Sequence, residues 1–291
     1  VRGRLTVRAP ATSANLGPGF DCAGIALELW NELELSQAPT LVVEVEGEGA
    51  DETPRDETHL GLRAFALVAP IEGKRFHFTN RIPFSRGLGS SSATIALGLV
   101  AACAWEGREA DPAGLLQLGM ELESHADNLA ACLHGGVTLS WQEGGGWHAR
   151  RIAEELPLTP IAVIPSTRVE TASSRASLPD TVAHADAAFS AGRAALLGAG
   201  LASGDAELLG AAFHDRLHEP YRAAAAPLLR ALRKEPPDGA AGASLSGSGP
   251  TVIVWAESSQ VESCARQLRR RLPDCSVWPL RLAVGGAGRR D

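Results

Sequence analysis

The chain has 291 residues, 45% hydrophobic and 21% charged, with a formal net charge of -7, a composition that suits a globular protein long enough for two cores. The acidic balance argues against a nucleic-acid binder, which needs a basic face for phosphates. The longest apolar stretch, ATIALGLVAACAW, is too short to span a bilayer, and VRGRLTVRAP lacks the apolar run of a signal peptide, so the expectation is a cytoplasmic protein with neither membrane nor nucleic acid as partner.

Taken in chain order, residues 4–9 (including LTVRA) alternate as a strand, and a longer alternation places Ile25, Leu27, Leu29, Leu33 and Leu35 on one face; both predict strands with one buried side. LVVEVEG (41–47) and RFHFTNRI (75–82) alternate again, which predicts a mostly antiparallel sheet. Helices are expected over Asp56 to Val68, over the alanine-rich segment after Ser91, and after Asp111 and Pro112, an N-cap and first-turn pair. VTLSWQEGGGWHARRI (137–152) reads as a hairpin around a glycine turn. Glu- and Pro-rich AEELPLTP marks a boundary that divides the chain into domains 1–156 and 157–291. The second part reads as a strand (IAVIP), helices from about 172 to 234, a loop (PPDGAAG), a strand (TVIVWAE), a helix (QVESCARQLRRRL) and a strand (CSVWPLRL). VGGAGRRD is expected to be a loose tail. The fold class is therefore α+β.

The most informative stretch is RIPFSRGLGSSSATIALGLVAA, residues 81–102. A glycine loop running into a long apolar helix aims free N–H groups and a partial positive charge at whatever lies over it, which is how a chain holds phosphate. GLGSSS is neither a Walker A loop, having no GK[ST], nor a dinucleotide fingerprint. The alternative is that one of the serines simply caps the helix. GASLSGSGPTVIVW precedes a strand; Ser246, Gly247, Ser248 and Gly249 form either a close-approach bend or an ordinary turn. APATSANLGPGFDCAG, with one acid, Asp21, is longer than a hairpin needs, which suggests a ligand role beside its reading as a mere connection. In ELESHADNLAACLHGG, Glu121, Glu123, His125, Asp127 and Asn128 crowd a helix junction; the plain reading is a helix end with Asp127 as N-cap. His214 and His218 read as ordinary helix residues, since no third ligand accompanies them. Cys22, Cys103, Cys132, Cys264 and Cys275 are scattered and never form CxxC, as expected of reduced structural thiols.

Together these motifs resemble the homoserine kinases of the GHMP small-molecule kinase superfamily. TSANLGPGFD is similar to the family's first motif, PFSRGLGSSSA to its nucleotide loop, ESHADN to its EGHPDN segment, DRLHEPYR to its arginine motif and GASLSGSGPT to its third motif. The departures are Ser92 for Ala, Ser124 for Gly and Ala126 for Pro. The resemblance implies a two-domain GHMP kinase fold, with an N-terminal domain like ribosomal protein S5 domain 2 and a C-terminal ferredoxin-like domain. It implies ATP and Mg²⁺ as cofactors and the phosphorylation of L-homoserine in threonine biosynthesis; members are often homodimers.

Carried over position by position, the resemblance implies ATP over Pro83, Phe84, Ser85, Arg86, Gly87, Leu88, Gly89, Ser90, Ser91, Ser92 and Ala93. Mg²⁺ would fall to Ser91 and Glu123, with Glu121 as the other carboxylate that fits the pattern. Arg175 and Arg222 would grip the substrate carboxylate, Asp21 its ammonium, and Asn15 and His125 would complete the pocket. Asn128 would hydrogen-bond the reacting hydroxyl without taking its proton, in contrast to the Lys and catalytic Asp of mevalonate-type relatives. Two other readings stand beside this one: a GHMP kinase for a different alcohol, and a catalytically silent nucleotide-binding protein on the same fold.

Overall fold

The computed structural model describes residues 3–168, 171–224 and 226–290. Its first sheet contains β1 (Arg4–Ala14), β2 (Ala23–Gln37), β3 (Val42–Gly47), β4 (Lys74–Asn80), β5 (Val137–Glu143) and β6 (Gly146–Ala153). Pairing is antiparallel except between β3 and β4, which run parallel. In β2 the expected face is buried at Ile25, Leu27, Leu33 and Leu35, and Asn31 shares it. Asn31 is accommodated because its side-chain oxygen accepts from the N–H groups of Arg81 and Ile82 at 2.7 and 2.9 Å, so that buried acceptor is paired. The β1–β2 register slips where Pro10 faces Trp30 and Ala11 faces Leu27. Proline has no N–H for the ladder, so a slip is cheapest beside it.

Helices α1 (Leu60–Ala66), α2 (Ser90–Trp105), α3 (Pro112–Gly119) and α4 (Ala126–His134) cover this sheet. Most of the 16 residues of α2 are buried, which explains a sequence with no polar face. Helix α1 starts later than Asp56: the Asp56 carboxylate accepts from Thr58 N and Oγ1, forming a local turn that competes with helix. His59 is the cap instead, accepting from Gly61 N at 3.0 Å through Nδ1; burial pushes its pKa down to about 4, which keeps that nitrogen free to accept. Asp111 caps α3 as expected, accepting from Ala113 N and Gly114 N, and the 137–153 hairpin forms.

The second sheet, ordered β10-β7-β9-β8, consists of β7 (Leu158–Pro165), β8 (Ala240–Leu245), β9 (Val252–Glu257) and β10 (Cys275–Pro279). Between β7 and β8 come α5 (Thr171–Ala176), α6 (His184–Ser203), α7 (Ala206–Ala212), α8 (Glu219–Arg222) and α9 (Pro227–Lys234), and α10 (Val261–Arg271) links β9 to β10. A β-α-β-β-α-β chain with its strands in the order 4-1-3-2 is the ferredoxin-like arrangement that the resemblance implied. Strand β8 departs from the sequence reading, which places no strand there: AAG, the end of the loop PPDGAAG, pairs with β9 from Ala240 onward. The small residues hide its strand character, because partners across the sheet supply the packing.

The larger apolar core runs from the first sheet through Leu158, Ala162, Ile253 and Trp255 of the second. A smaller core lies under α9 and α10. The C-terminal segment is not a loose tail. It returns to the first sheet, where Leu282 bridges Leu27 at the register slip and β11 (Gly288–Arg289) pairs with β1. Its glycines permit this: a Cβ on Gly286 would sit 2.0 Å from Leu133 O. No helix among the described residues is long and apolar enough to cross a membrane.

Candidate active site

A cavity of about 600 Å³ opens where three loops meet: the nucleotide-type loop before α2, the loop after β1, and the β8–β9 turn. The phosphate loop is held from beneath. Gly87 has φ +79°, and a Cβ there would sit 2.3 Å from Ser246 O, so only glycine permits the approach. Ser246 Oγ lies 2.6 Å from Gly87 O and 2.9 Å from Ser13 Oγ. One hydroxyl has one proton, so Ser246 donates to Gly87 O and accepts from Ser13. Gly247 N donates to Ala14 O at 3.1 Å. The β8–β9 turn is therefore a brace between β1 and the phosphate loop.

None of the three serines caps α2. The N-cap is Gly89 in the left-handed region, with no side-chain bond to the first turn, which leaves that turn's N–H groups free for an anion. Phe84, Ser85, Arg86, Gly87, Leu88, Gly89, Ser90, Ser91 and Ser92 line the cavity, whereas Pro83 and Ala93 are buried behind it. Gly247 and Ser248 line it too; Ser246 and Gly249 lie behind. Arg86 reaches outward, donating to Ser166 O at 3.0 Å beyond β7.

Beyond the phosphate loop lies a charged end. The loop after β1 carries three non-glycine residues at positive φ, Asn15, Leu16 and Asp21, a conformation that costs energy unless its surroundings enforce it. Asn15 supplies that enforcement, donating to Gly247 O and accepting from Asp21 N, both at 3.0 Å. Asp21 and Arg175 form a two-pronged pair at 2.8 and 2.6 Å, and this hydrogen-bonded pairing pushes the Arg175 pKa above its usual value. Arg222, only 4% exposed, donates to Gly247 O at 3.2 Å and to His218 Nδ1 at 3.0 Å, while its Nε has no partner. Phe20 presents its ring to both guanidinium groups, 5.2 Å from Arg175 and 5.5 Å from Arg222.

His214 and His218 are not on a helix. They lie between α7 and α8, where Asp215 accepts from the N–H groups of Leu217, His218 and Glu219 and so holds a capping turn. His218 is fully buried, with Nε2 2.8 Å from Gly17 O. A carbonyl only accepts, so Nε2 carries the proton and Nδ1 is left to accept from Arg222. Burial pushes the His218 pKa below its usual value, in keeping with this neutral form.

The third side is formed by the ESHADN segment. The N-cap of α4 is His125, without a side-chain cap bond, so Asp127 lies in the first turn. Asp127 is 4% exposed, and burial, reinforced by Asp21 and Glu123, raises its pKa to about 7 despite a bond from Asn128 N. Burial lowers the His125 pKa, and its Nδ1 lies 3.0 Å from Ser124 Oγ. Asn128 Oδ1 accepts from Thr12 Oγ1 at 2.7 Å. Glu123 lines the cavity with one oxygen accepting from Ser124 N at 2.9 Å; Glu121 does not line it.

The site thus brings together Asn15, Asp21, Glu123, His125, Asn128, Arg175 and Arg222 around one cavity beside the phosphate loop. Sequence reasoning gave no role to Thr12 or Phe20, read His218 as an ordinary helix residue and took Asp127 for an N-cap. The first two stand inside a stretch already singled out, and His218 is four residues before Arg222; nothing in the pattern announced their contacts. All five cysteines are free, and no cluster of three or more His, Cys, Asp or Glu suited to a metal occurs among the described residues.

A helix terminus with free N–H groups beside a small charged pocket, on this pair of sheets, is the arrangement expected of a small-molecule kinase. The chain matches the family models for the GHMP kinase N-terminal domain over residues 58–136 and the GHMP kinase C-terminal domain over residues 190–274. It is 44% identical over 272 residues to a homoserine kinase of Streptomyces avermitilis, covering 90% of this chain and 88% of that one. A homoserine kinase of Desulfitobacterium hafniense is 37% identical, with 91% of each chain covered. The crystal structure of a homoserine kinase from Cytophaga hutchinsonii superposes with a TM-score of 0.89 at 25% identity, covering 100% of this chain and 98% of that chain. A mevalonate kinase crystal structure, at 15% identity and a TM-score of 0.70, shares the fold. The chain belongs to the homoserine kinases of the GHMP kinase family, whose members use ATP.

Proposed function

We infer that this protein transfers the γ-phosphoryl group of ATP to the γ-hydroxyl of L-homoserine, giving O-phospho-L-homoserine and ADP. The observation that carries the reading is the gathering of Asp21, its partner Arg175 and Arg222 on one cavity beside the phosphate loop. A zwitterionic amino acid needs a carboxylate for its ammonium and guanidinium groups for its carboxylate. A neutral sugar uses neither.

ATP would lie with its phosphates over Gly87 to Ser92, at the free N–H groups of α2 and in the cavity that this loop lines. The donor set fits Mg²⁺: Ser91 and Glu123 offer one hydroxyl and one carboxylate on the cavity wall, and Mg²⁺ characteristically takes one or two protein oxygens, filling its shell with water and phosphate. The ion supplies neutralisation of the charge on the β- and γ-phosphates. Asp21, Arg175 and Arg222 would hold the acceptor, with Asn15 keeping Asp21 in place and His125 closing the pocket. Asn128 would hydrogen-bond the hydroxyl oxygen. A bond forms from that oxygen to the γ-phosphorus, the bond to the β-γ bridging oxygen breaks, and the hydroxyl proton passes to a γ-phosphoryl oxygen. Such loose transfer is driven by positioning and charge neutralisation, so no general base is required.

The test is ADP release with Mg·ATP and a panel of L-homoserine, D-homoserine, L-serine, L-threonine, mevalonate and galactose. Selective turnover of L-homoserine is expected; turnover of another alcohol in its place refutes the substrate assignment, and none with any alcohol refutes the kinase reading. Asn128→Ala is expected to lower kcat at saturating ATP by about 10- to 100-fold, the scale of one transition-state contact.

A further inference from the structure

We propose that Thr12 is a positioning residue, whose buried hydroxyl fixes the Asn128 carboxamide so that Nδ2–H, and not Oδ1, is offered to the acceptor hydroxyl. The inference deepens the proposed function and rests on its assignment of Asn128.

An asparagine amide has two orientations that fill the same space, one turning a donor and the other an acceptor to a given neighbour. Two neighbours decide the matter here. On one side, Asp127 Oδ1 lies 3.4 Å from Asn128 Nδ2 and also receives Asn128 N–H at 2.7 Å. An oxygen that receives a backbone N–H is an acceptor, so it selects the NH₂ end. On the other side, Thr12 Oγ1 lies 2.7 Å from Asn128 Oδ1. With the NH₂ group turned to Asp127, Thr12 must donate. The second Nδ2 proton is then the one left for the cavity, which Asn128 lines.

Thr12 is built to do this. It is fully buried in β1, and its branched Cβ leaves few rotamers. Its N–H donates to Leu88 O at 3.1 Å, and its Oγ1 stands 1.8 Å from where a Cβ on Gly89 would be. The same residue thus touches the N-cap of the phosphate-binding helix and the amide that meets the acceptor, so the two reactants are gauged from one strand. The chemical consequence is directional. An N–H donated to the hydroxyl oxygen occupies one lone pair and leaves the other for phosphorus, while the hydroxyl proton is directed away from Asn128 and toward the γ-phosphoryl oxygens. A carbonyl presented instead would draw that proton off the transfer path.

The experiment compares Thr12→Val, which keeps the shape and loses the hydroxyl, with Thr12→Ser, which keeps the hydroxyl. Expected results are a fall in kcat of about 10-fold or more for T12V, from a lost hydrogen bond and a freed amide, and recovery to within about 3-fold for T12S. KM for ATP should move little, and T12V should have no further effect on kcat in an Asn128→Ala background. If T12V fails to fold, Thr12→Ala, which places no methyl against the amide, takes its place. Independently of any substrate, the side-chain amide NMR signals of Asn128, identified by their loss in N128A, should move in T12V and stay in place in T12S. Full additivity of T12V with N128A, or Asn128 amide signals unmoved in T12V, overturns the proposal. A wild-type protein inactive on homoserine overturns the proposed function instead, and the NMR comparison then still decides for or against the Thr12 clamp.

Discussion

Replacing Asp127 by Asn should stabilise the ligand-free protein at alkaline pH and lose that advantage as the pH falls. Asp127 is buried beside Asp21 and Glu123, and its pKa is raised from 3.8 to about 7. A carboxyl raised in the folded state favours folding fully only while both states are protonated, below pH 3.8; the contribution is lost as the pH climbs through about 7. At about 1.4 kcal/mol per pH unit, that gap corresponds to roughly 4 kcal/mol of stability lost between pH 4 and pH 8. Asparagine does not ionise and keeps an oxygen to accept from Asn128 N, so its curve lacks this component. Any fixed cost of the new NH₂ group is the same at every pH and cancels from the comparison. About 2–3 kcal/mol of that falls between pH 5 and pH 8; for a chain of this size 1 kcal/mol moves Tm by about 2 °C, so Tm of D127N minus Tm of the wild type should grow by roughly 5 °C over that range. The assay is thermal unfolding of both proteins without nucleotide in buffers of equal ionic strength. A difference constant across that range would refute the reasoning, because it would mean that Asp127 titrates like an exposed aspartate.

Three further outcomes follow from the same contacts. Gly89→Ala places a methyl 1.8 Å from Thr12 Oγ1 and 3.2 Å from Asn128 Oδ1 at φ +70°; the left-handed backbone alone costs about 1–2 kcal/mol, so activity should fall at least 100-fold or the protein should fail to fold, as read by kcat and Tm. Ser246→Ala leaves Gly87 O without its donor, a loss of about 1–3 kcal/mol, expected as a lower Tm and a raised KM for ATP. Deleting Val284–Asp291 removes the β11 pairing and the bonds Ala287 N to Cys132 O and Arg290 N to Thr6 O, at 2.7 and 2.9 Å. Roughly 2–4 kcal/mol should be lost, and hydrogen exchange should rise at the C-terminal end of α4 and in β1.

Much of this was written in local pattern. Alternation in β2, the Asp111–Pro112 helix start and the glycine turn at 144–146 are dictated by side-chain period, capping and backbone freedom, all of which act within a few residues. The ordered motifs likewise carried the family and most of the side chains that gather round the cavity, since each motif is contiguous. What only the tertiary structure decided is who touches whom across the chain. The small residues of β8 look like loop until β9 supplies their packing, and the glycine-rich tail looks loose until the register slip at Pro10 offers it a place. His218 looks like a helix residue until Gly17 O and Arg222 bury it between them. Ser246 and Thr12 look like motif filler, yet one holds up the phosphate loop across 159 residues and the other meets Asn128 across 116. Contacts at such separations depend on how two sheets and a shared core are assembled, and no window of sequence contains that information.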